Sequence, residues 1–296
     1  MQITKQTIVT LLACTWSFQS FAGYQITIQS TSDAAHHGKK GPDNNIVQMT
    51  TDSSKARIDF KEGAAPGAEN GSYLLSQDNG KTFVMVLPKD KTYMKWDMDS
   101  MINMAGAMGN MMQMKVMDPL IETVLDEAGP PLLGYPTRHY KIHSSYRMSM
   151  SVMGFKNESS IVKDEETWTT TKLDLASLGI WAGKTPKTNN EGLDQLIQAE
   201  KAKMKGIPLK AICIQTTLDS QGKTNIVKSI MEVTEIKTVG SDAVTFEIPE
   251  DYKEMSLPMF SGNDEEQSNG HSKFSKASQP KFDFGGLMKK ALEQAK

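Results

Sequence analysis

Arg138-His139-Tyr140-Lys141-Ile142-His143-Ser144-Ser145-Tyr146-Arg147-Met148-Ser149-Met150-Ser151-Val152 decides how this chain folds. Tyr140, Ile142, Tyr146, Met148, Met150 and Val152 share one parity, while His139, Lys141, His143, Arg147 and Ser149 share the other. Successive side chains of a strand point to opposite faces, so the run reads as a strand with one buried and one wet face, the pattern of an antiparallel sheet. At about 3.3 Å per residue it is near 50 Å long, which suits a strongly curved sheet better than a flat one.

The same period of two recurs on both sides, cut by turn residues at short intervals. Expected strands are Tyr24 to Ser30, Ile46 to Thr51, Ala56 to Phe60, Tyr73 to Ser76, Thr82 to Leu87 and Thr92 to Trp96, followed by Arg138 to Val152. Ser160 to Lys172, Pro208 to Leu218, Thr224 to Lys237 and Ala243 to Ile248 bring the total to about eleven. Asp78-Asn79-Gly80-Lys81 and Pro88-Lys89-Asp90-Lys91 are the turns of a meander, and Asn-Gly supplies the positive φ that tight hairpins need. Two helices interrupt the pattern. Leu193, Leu196, Ile197, Glu200 and Met204 fall at helical spacing between Asn189-Asn190 and the stop Gly206-Ile207-Pro208, and a methionine-rich helix starts near Asp97. The fold class is mainly β with α (α+β): a curved, half-open antiparallel β-barrel with helices capping its concave face.

Composition narrows the role. The chain has 296 residues, 38% of them hydrophobic, and 33 Lys+Arg against 35 Asp+Glu, with a pI near 6.2. Interspersed charge at that pI excludes a basic nucleic-acid footprint, and no apolar run reaches the roughly 18 residues of a membrane-spanning helix. Residues 1–22 carry Lys5, an apolar stretch from Ile8 to Phe18, and Ser20-Phe21-Ala22 with small residues at the −3 and −1 positions, so they read as a secretory signal and place the mature chain in the periplasm. Leu11-Leu12-Ala13-Cys14 offers a rival lipoprotein cut that would anchor the chain through Cys14. Removal of the signal leaves Cys213 without an intrachain partner, and its apolar flanks read as those of a buried, inert thiol. Residues 23–255 form the expected β domain and 256–281 a polar linker. Residues 282–296 form a short amphipathic helix, read as loosely docked, with weak membrane or protein contact as its alternative role.

The run Arg57-Ile58-Asp59-Phe60, strand, Asp78-Asn79-Gly80-Lys81, strand, Pro88-Lys89-Asp90-Lys91, strand and helix resembles the bacterial periplasmic lipoprotein carriers. With Gly134-Tyr135-Pro136-Thr137-Arg138-His139-Tyr140, the Trp168 strand, Phe246-Glu247-Ile248-Pro249 and Tyr252, the chain is similar to a wider set of uncharacterised exported bacterial domains over about residues 24–255. The resemblance implies an open barrel around an apolar cavity that holds acyl chains, helices acting as a lid, and Arg57 as a lid contact.

Nine of the 20 methionines lie from Met94 to Met117. On a helix, Met98, Met101, Met104, Met108, Met111 and Met112 share one face, and unbranched thioethers adapt to irregular apolar surfaces. With Tyr140, Ile142, Tyr146 and Met148 they are the expected lining for a hydrophobic ligand or lipid. The rival readings are packed core and a soft-metal site in which Met101, Met104, Met108 and Met111 converge on Cu(I). His139 and His143 lie four residues apart on a strand, about 13 Å, so they cannot share one ion. His36-His37 reads as a solvated loop and Asp164-Glu165-Glu166 as a solvated turn, while Asp97 and Asp99 fit a helix start. No motif of nucleophilic, phosphate-binding or metal-dependent catalysis occurs, so the expected role is non-enzymatic and without a cofactor.

Overall fold

The computed structural model describes residues 23–34, 43–52, 54–63, 69–100, 113–152, 155–173, 190–240 and 244–255. The chain divides into two units, residues 1–260 and 261–296, and every described residue lies in the first. The signal, Cys14, the His36-His37 loop, the linker and the tail helix are outside the described residues.

Twelve strands form one sheet. The first group is β1 (Gly23–Ser32), β2 (Asp43–Asp52), β3 (Lys55–Glu62), β4 (Tyr73–Ser76), β5 (Thr82–Leu87) and β6 (Thr92–Asp97). The second is β7 (Lys115–Leu132), β8 (Tyr135–Val152), β9 (Phe155–Thr170), β10 (Ile207–Asp219) and β11 (Thr224–Val239), with the short β12 (Lys253–Glu254) last. Between β9 and β10 stands the helix α1 (Glu191–Ala202). The spatial order is β12-β6-β5-β4-β3-β2-β1-β11-β10-β9-β8-β7, antiparallel except where β12 joins β6 in parallel. Two meanders thus meet where β1 pairs with β11: the chain runs outward from β1 to β6, crosses to the far edge, and returns from β7 to the centre. The sheet is open, with β7 and β12 at its edges.

Ten of the expected strands are present. The strand expected over Ala243 to Ile248 is not: residues 244–248 lie outside the ladder and are held by side chains instead, the Arg57 guanidinium donating to the Thr245 carbonyl and the Gln77 amide to that of Phe246. Sequence reasoning missed β7. It holds Pro119, Pro130 and Pro131, which an edge strand tolerates because proline there costs no ladder bond on the open side. It joins β8 through a two-residue turn with both φ angles positive, Leu133 at 50° and Gly134 at 81°, and the Asn79-Gly80 turn has the same form at 57° and 76°. The expected breaks elsewhere, Ser220-Gln221-Gly222 among them, are turns.

Register divides the side chains between two faces. Ile142, Glu165 and Cys213 are successive cross-strand partners, and the same face continues through Met231 and Ile28 to Val47, Phe60 and, beyond them, Met85 and Met94. On this Ile142 face Ile26, Met49, Leu209 and Val233 form the main buried cluster together with Leu173. The opposite, His143 face carries a smaller cluster of Tyr73, Leu75 and Val86, against which Ile248 and Tyr252 pack.

Candidate functional site

Strand alternation places Tyr140, Ile142, Ser144, Tyr146 and Met148 on one face of β8. The first three are buried and the last two half-buried. Directly opposite Ser144 stands Lys163 of β9, and opposite Ile142 stands Glu165, so two charges face inward beside the expected apolar lining. A third arrives from α1. The Asn190 side chain caps that helix by accepting from the Leu193 amide at 3.0 Å, and its own amide donates to the Met114 carbonyl at 2.7 Å, which pins the helix start to the chain just before β7. Leu196 is the buried anchor of the helix, and one turn later Glu200 lies on the same side.

The charges meet. Lys163 Nζ donates to Glu200 Oε2 at 2.7 Å and sits 3.1 Å from Glu165 Oε2, with side-chain exposures of 16%, 19% and 22% in that order. Thr167 Oγ1 donates to the other oxygen of Glu165. Burial works against the charge on Lys163, but the hydrogen bond to Glu200 and the charges of both carboxylates outweigh it and raise the ammonium above its ordinary range. Ser144 Oγ is completely buried and has no hydrogen-bond partner among the described residues.

Two further groups border the cluster. Burial, then the charge of Glu200, pushes the Tyr146 phenol up, with Lys163 opposing. Burial also pushes the Cys213 thiol up, again with Lys163 opposing. Both stay protonated at neutral pH, so neither is an activated nucleophile or base. Cys213 is half-buried rather than buried, because its cross-strand neighbour is Glu165 and not an apolar side chain.

A pH dependence follows. Cys213, Tyr146 and Lys163 all have folded values above their ordinary ones of 9.0, 10.0 and 10.5. The folded chain therefore holds more protons than the unfolded chain at high pH, and this stability is complete below about pH 9 and lost as pH rises through the raised values. Urea unfolding followed by circular dichroism at stepped pH is expected to give a midpoint that is flat from pH 7 to 9 and falls above it; a midpoint constant to pH 11 contradicts the cluster.

The acidic run is not a solvated turn. Residues 164–166 are mid-strand, so Glu165 points to Lys163 while Asp164 and Glu166 point to the His143 face. There His143 Nδ1 and Asp164 Oδ1 are 2.9 Å apart, and His139 Nε2 and Glu166 Oε1 likewise. His139 stacks on Trp168 with ring centroids 4.4 Å apart. His143 thus has one carboxylate and His139 two, Glu127 Oε1 lying 3.8 Å from its Nδ1, and among the described residues no group of three or more His, Cys, Asp or Glu could hold a metal ion.

Arg57, expected at a lid over the apolar lining, is on the other face, because its neighbour Ile58 takes the Ile142 face. It forks onto Asp59 at 2.8 to 3.2 Å, lies 3.7 Å above the Tyr73 ring, and donates to the Thr245 carbonyl at 3.0 Å. Of the methionine stripe, Met98 is described: residues 98–100 are helical, and Asp97 accepts from the Ser100 amide and hydroxyl as the helix cap. Met101, Met104, Met108, Met111 and Met112 lie outside the described residues.

Lys163, Glu165 and Glu200 were absent from the expected site. Two signals pointed to them: Lys163 and Glu165 are two apart in a strand and so share a face, and Glu200 falls on the apolar side of its helix.

Fold and site define a mostly antiparallel β protein with one large open sheet. The chain belongs to the family described as a domain of unknown function, DUF4412, whose model matches residues 36–252. No curated protein matches it. Among solved structures, that of PNGF-II in space group P21 aligns with 15% identity over 74% of this chain and 29% of that one, at a TM-score of 0.28. The chain thus spans under a third of the length of that protein.

Proposed function

We propose that this chain is a non-enzymatic binding or carrier-like protein of the bacterial periplasm that holds a hydrophobic group, lipid or acyl, against the Ile142 face of a curled sheet. The carrying observation is that face itself. Apolar side chains recur on it from β1 to β6 and again on β8, and Ile28, Ile58, Leu74, Met94, Trp96 and Met148 among them are only partly covered. Incompletely covered apolar surface is the usual mark of a ligand or partner site.

The curl proposed is that of the half-open barrel of the lipoprotein carriers, with the expected methionine-rich helix as its lid.

Solvent extraction of the purified full chain followed by lipid mass spectrometry tests the reading. Acyl-bearing molecules near one per chain are expected. A chain that yields none and does not take up the neutral probe Nile red overturns it.

A further inference from the structure

The charged cluster is out of place in a surface that only holds hydrocarbon. Lys163 is flanked by Glu165 and Glu200, so the three side chains carry one excess negative charge where solvent access is below a quarter. Beside them Ser144 Oγ is fully buried without a partner among the described residues. A buried hydroxyl left unpaired costs about 1–3 kcal/mol, and such a group in a native fold calls for a partner such as a water or ligand atom. Register fixes where that atom belongs: Ser144 and Lys163 are directly opposed on one face, so their Cβ atoms are about 5 Å apart. Two residues along β8 on each side stand Ile142 and Tyr146, the apolar lining just described.

We propose that Ser144, Tyr146, Lys163, Glu165 and Glu200 form the polar end of the binding face and take the ammonium head of an amine-bearing amphiphile whose chain lies along the apolar lining. The inference rests on the carrier-like reading and specifies its ligand. Excess negative charge in a poorly solvated place attracts an ammonium and repels a carboxylate or phosphate. The Ser144 hydroxyl and the Tyr146 phenol are neutral and free to accept from the ammonium's donors. A carboxylate head would leave three anions around a single lysine, and a hydroxyl head would gain the hydrogen bond to Ser144 without the charge.

Displacement of Nile red by dodecylamine, dodecanol and dodecanoate, equal in chain length, tests it at pH 7.5 in low salt. The full chain is expected to favour the amine over the carboxylate by roughly tenfold or more, with the alcohol between, since 1.4 kcal/mol is tenfold. Glu200→Gln removes the excess charge and leaves a neutral Lys163–Glu165 pair, so it folds and loses most of the amine's advantage. Ser144→Ala weakens the amine and the alcohol by several-fold while leaving the carboxylate unchanged. Equal displacement by all three ligands, or an amine preference that both variants retain, overturns the headgroup site and leaves the carrier reading standing. Failure of all three ligands to displace a bound probe, or of the probe to bind, overturns the carrier reading and this site with it.

Discussion

Lys163→Met is expected to cost about 2–3 kcal/mol, the larger effect of any single change in the charged cluster. Its length and volume suit the methionine, so packing changes little; what changes is that Glu165 and Glu200 are left facing each other without the ammonium that both contact. Removing one partner of a buried pair costs more than the pair contributes, because the remaining charge stays desolvated. The lower end of that range applies here, since all three side chains retain some solvent. Glu200→Gln is the contrast: it keeps one ion pair, makes the cluster neutral and is expected to cost only about 1 kcal/mol. At about 2–4 °C per kcal/mol for a domain of this size, thermal melts separate the two variants cleanly. Equal losses from both would mean that Lys163 contributes shape and not charge.

The sheet was readable where local pattern and tertiary role agree. The alternation of residues 138–152 identified β8, and Asn79-Gly80 marked the β4–β5 hairpin, because parity and positive φ are local properties. β7 escaped because its prolines signal breakage to a local reading, and being the last strand of the sheet, which excuses them, is a property of the whole topology. The cluster escaped for a related reason. Asp164-Glu165-Glu166 reads as a solvated patch when its charges are counted together, whereas the strand sends alternate carboxylates to opposite faces. Asp164 and Glu166 meet His143 and His139 of β8, and Lys163, which contacts Glu165, meets Glu200 of α1, at separations of 21 to 37 residues in the chain. Separation of that order hides a pairing from any local pattern. Arg57 shows the limit of resemblance: a motif placed it near a lid, and one step of strand register moved it to the other face.

Arg57→Ala is expected to cost about 3 kcal/mol and to release residues 244–255 before the sheet unfolds. Three interactions end on this one guanidinium. Asp59, a buried carboxylate, loses a forked partner; the Tyr73 ring loses a cation 3.7 Å from its centre; and the Thr245 carbonyl loses its donor. A buried carboxylate without its partner dominates the cost, and the cation over the ring adds about 1 kcal/mol. Arg57→Lys recovers only part of it, because an ammonium cannot fork onto a carboxylate, cover a ring and reach a carbonyl together. The consequence is local since the strap depends on few other ties: the Gln77 amide on Phe246, the Lys91–Asp251 pair, the β12 pairing, and the packing of Ile248 and Tyr252. Chymotrypsin under native conditions reads it directly. Phe246 is buried in the wild type, so cleavage there is expected to be slow, to accelerate at least tenfold in Arg57→Ala and less in Arg57→Lys, with the sheet's circular dichroism retained. A lid role makes the opposite demand: the same variants would change Nile red binding on the Ile142 face and leave Phe246 protected. The side of the sheet on which Arg57 lies favours the first outcome, since a side chain reaching Thr245 and Tyr73 is separated by the backbone of β3 from anything held against Ile58.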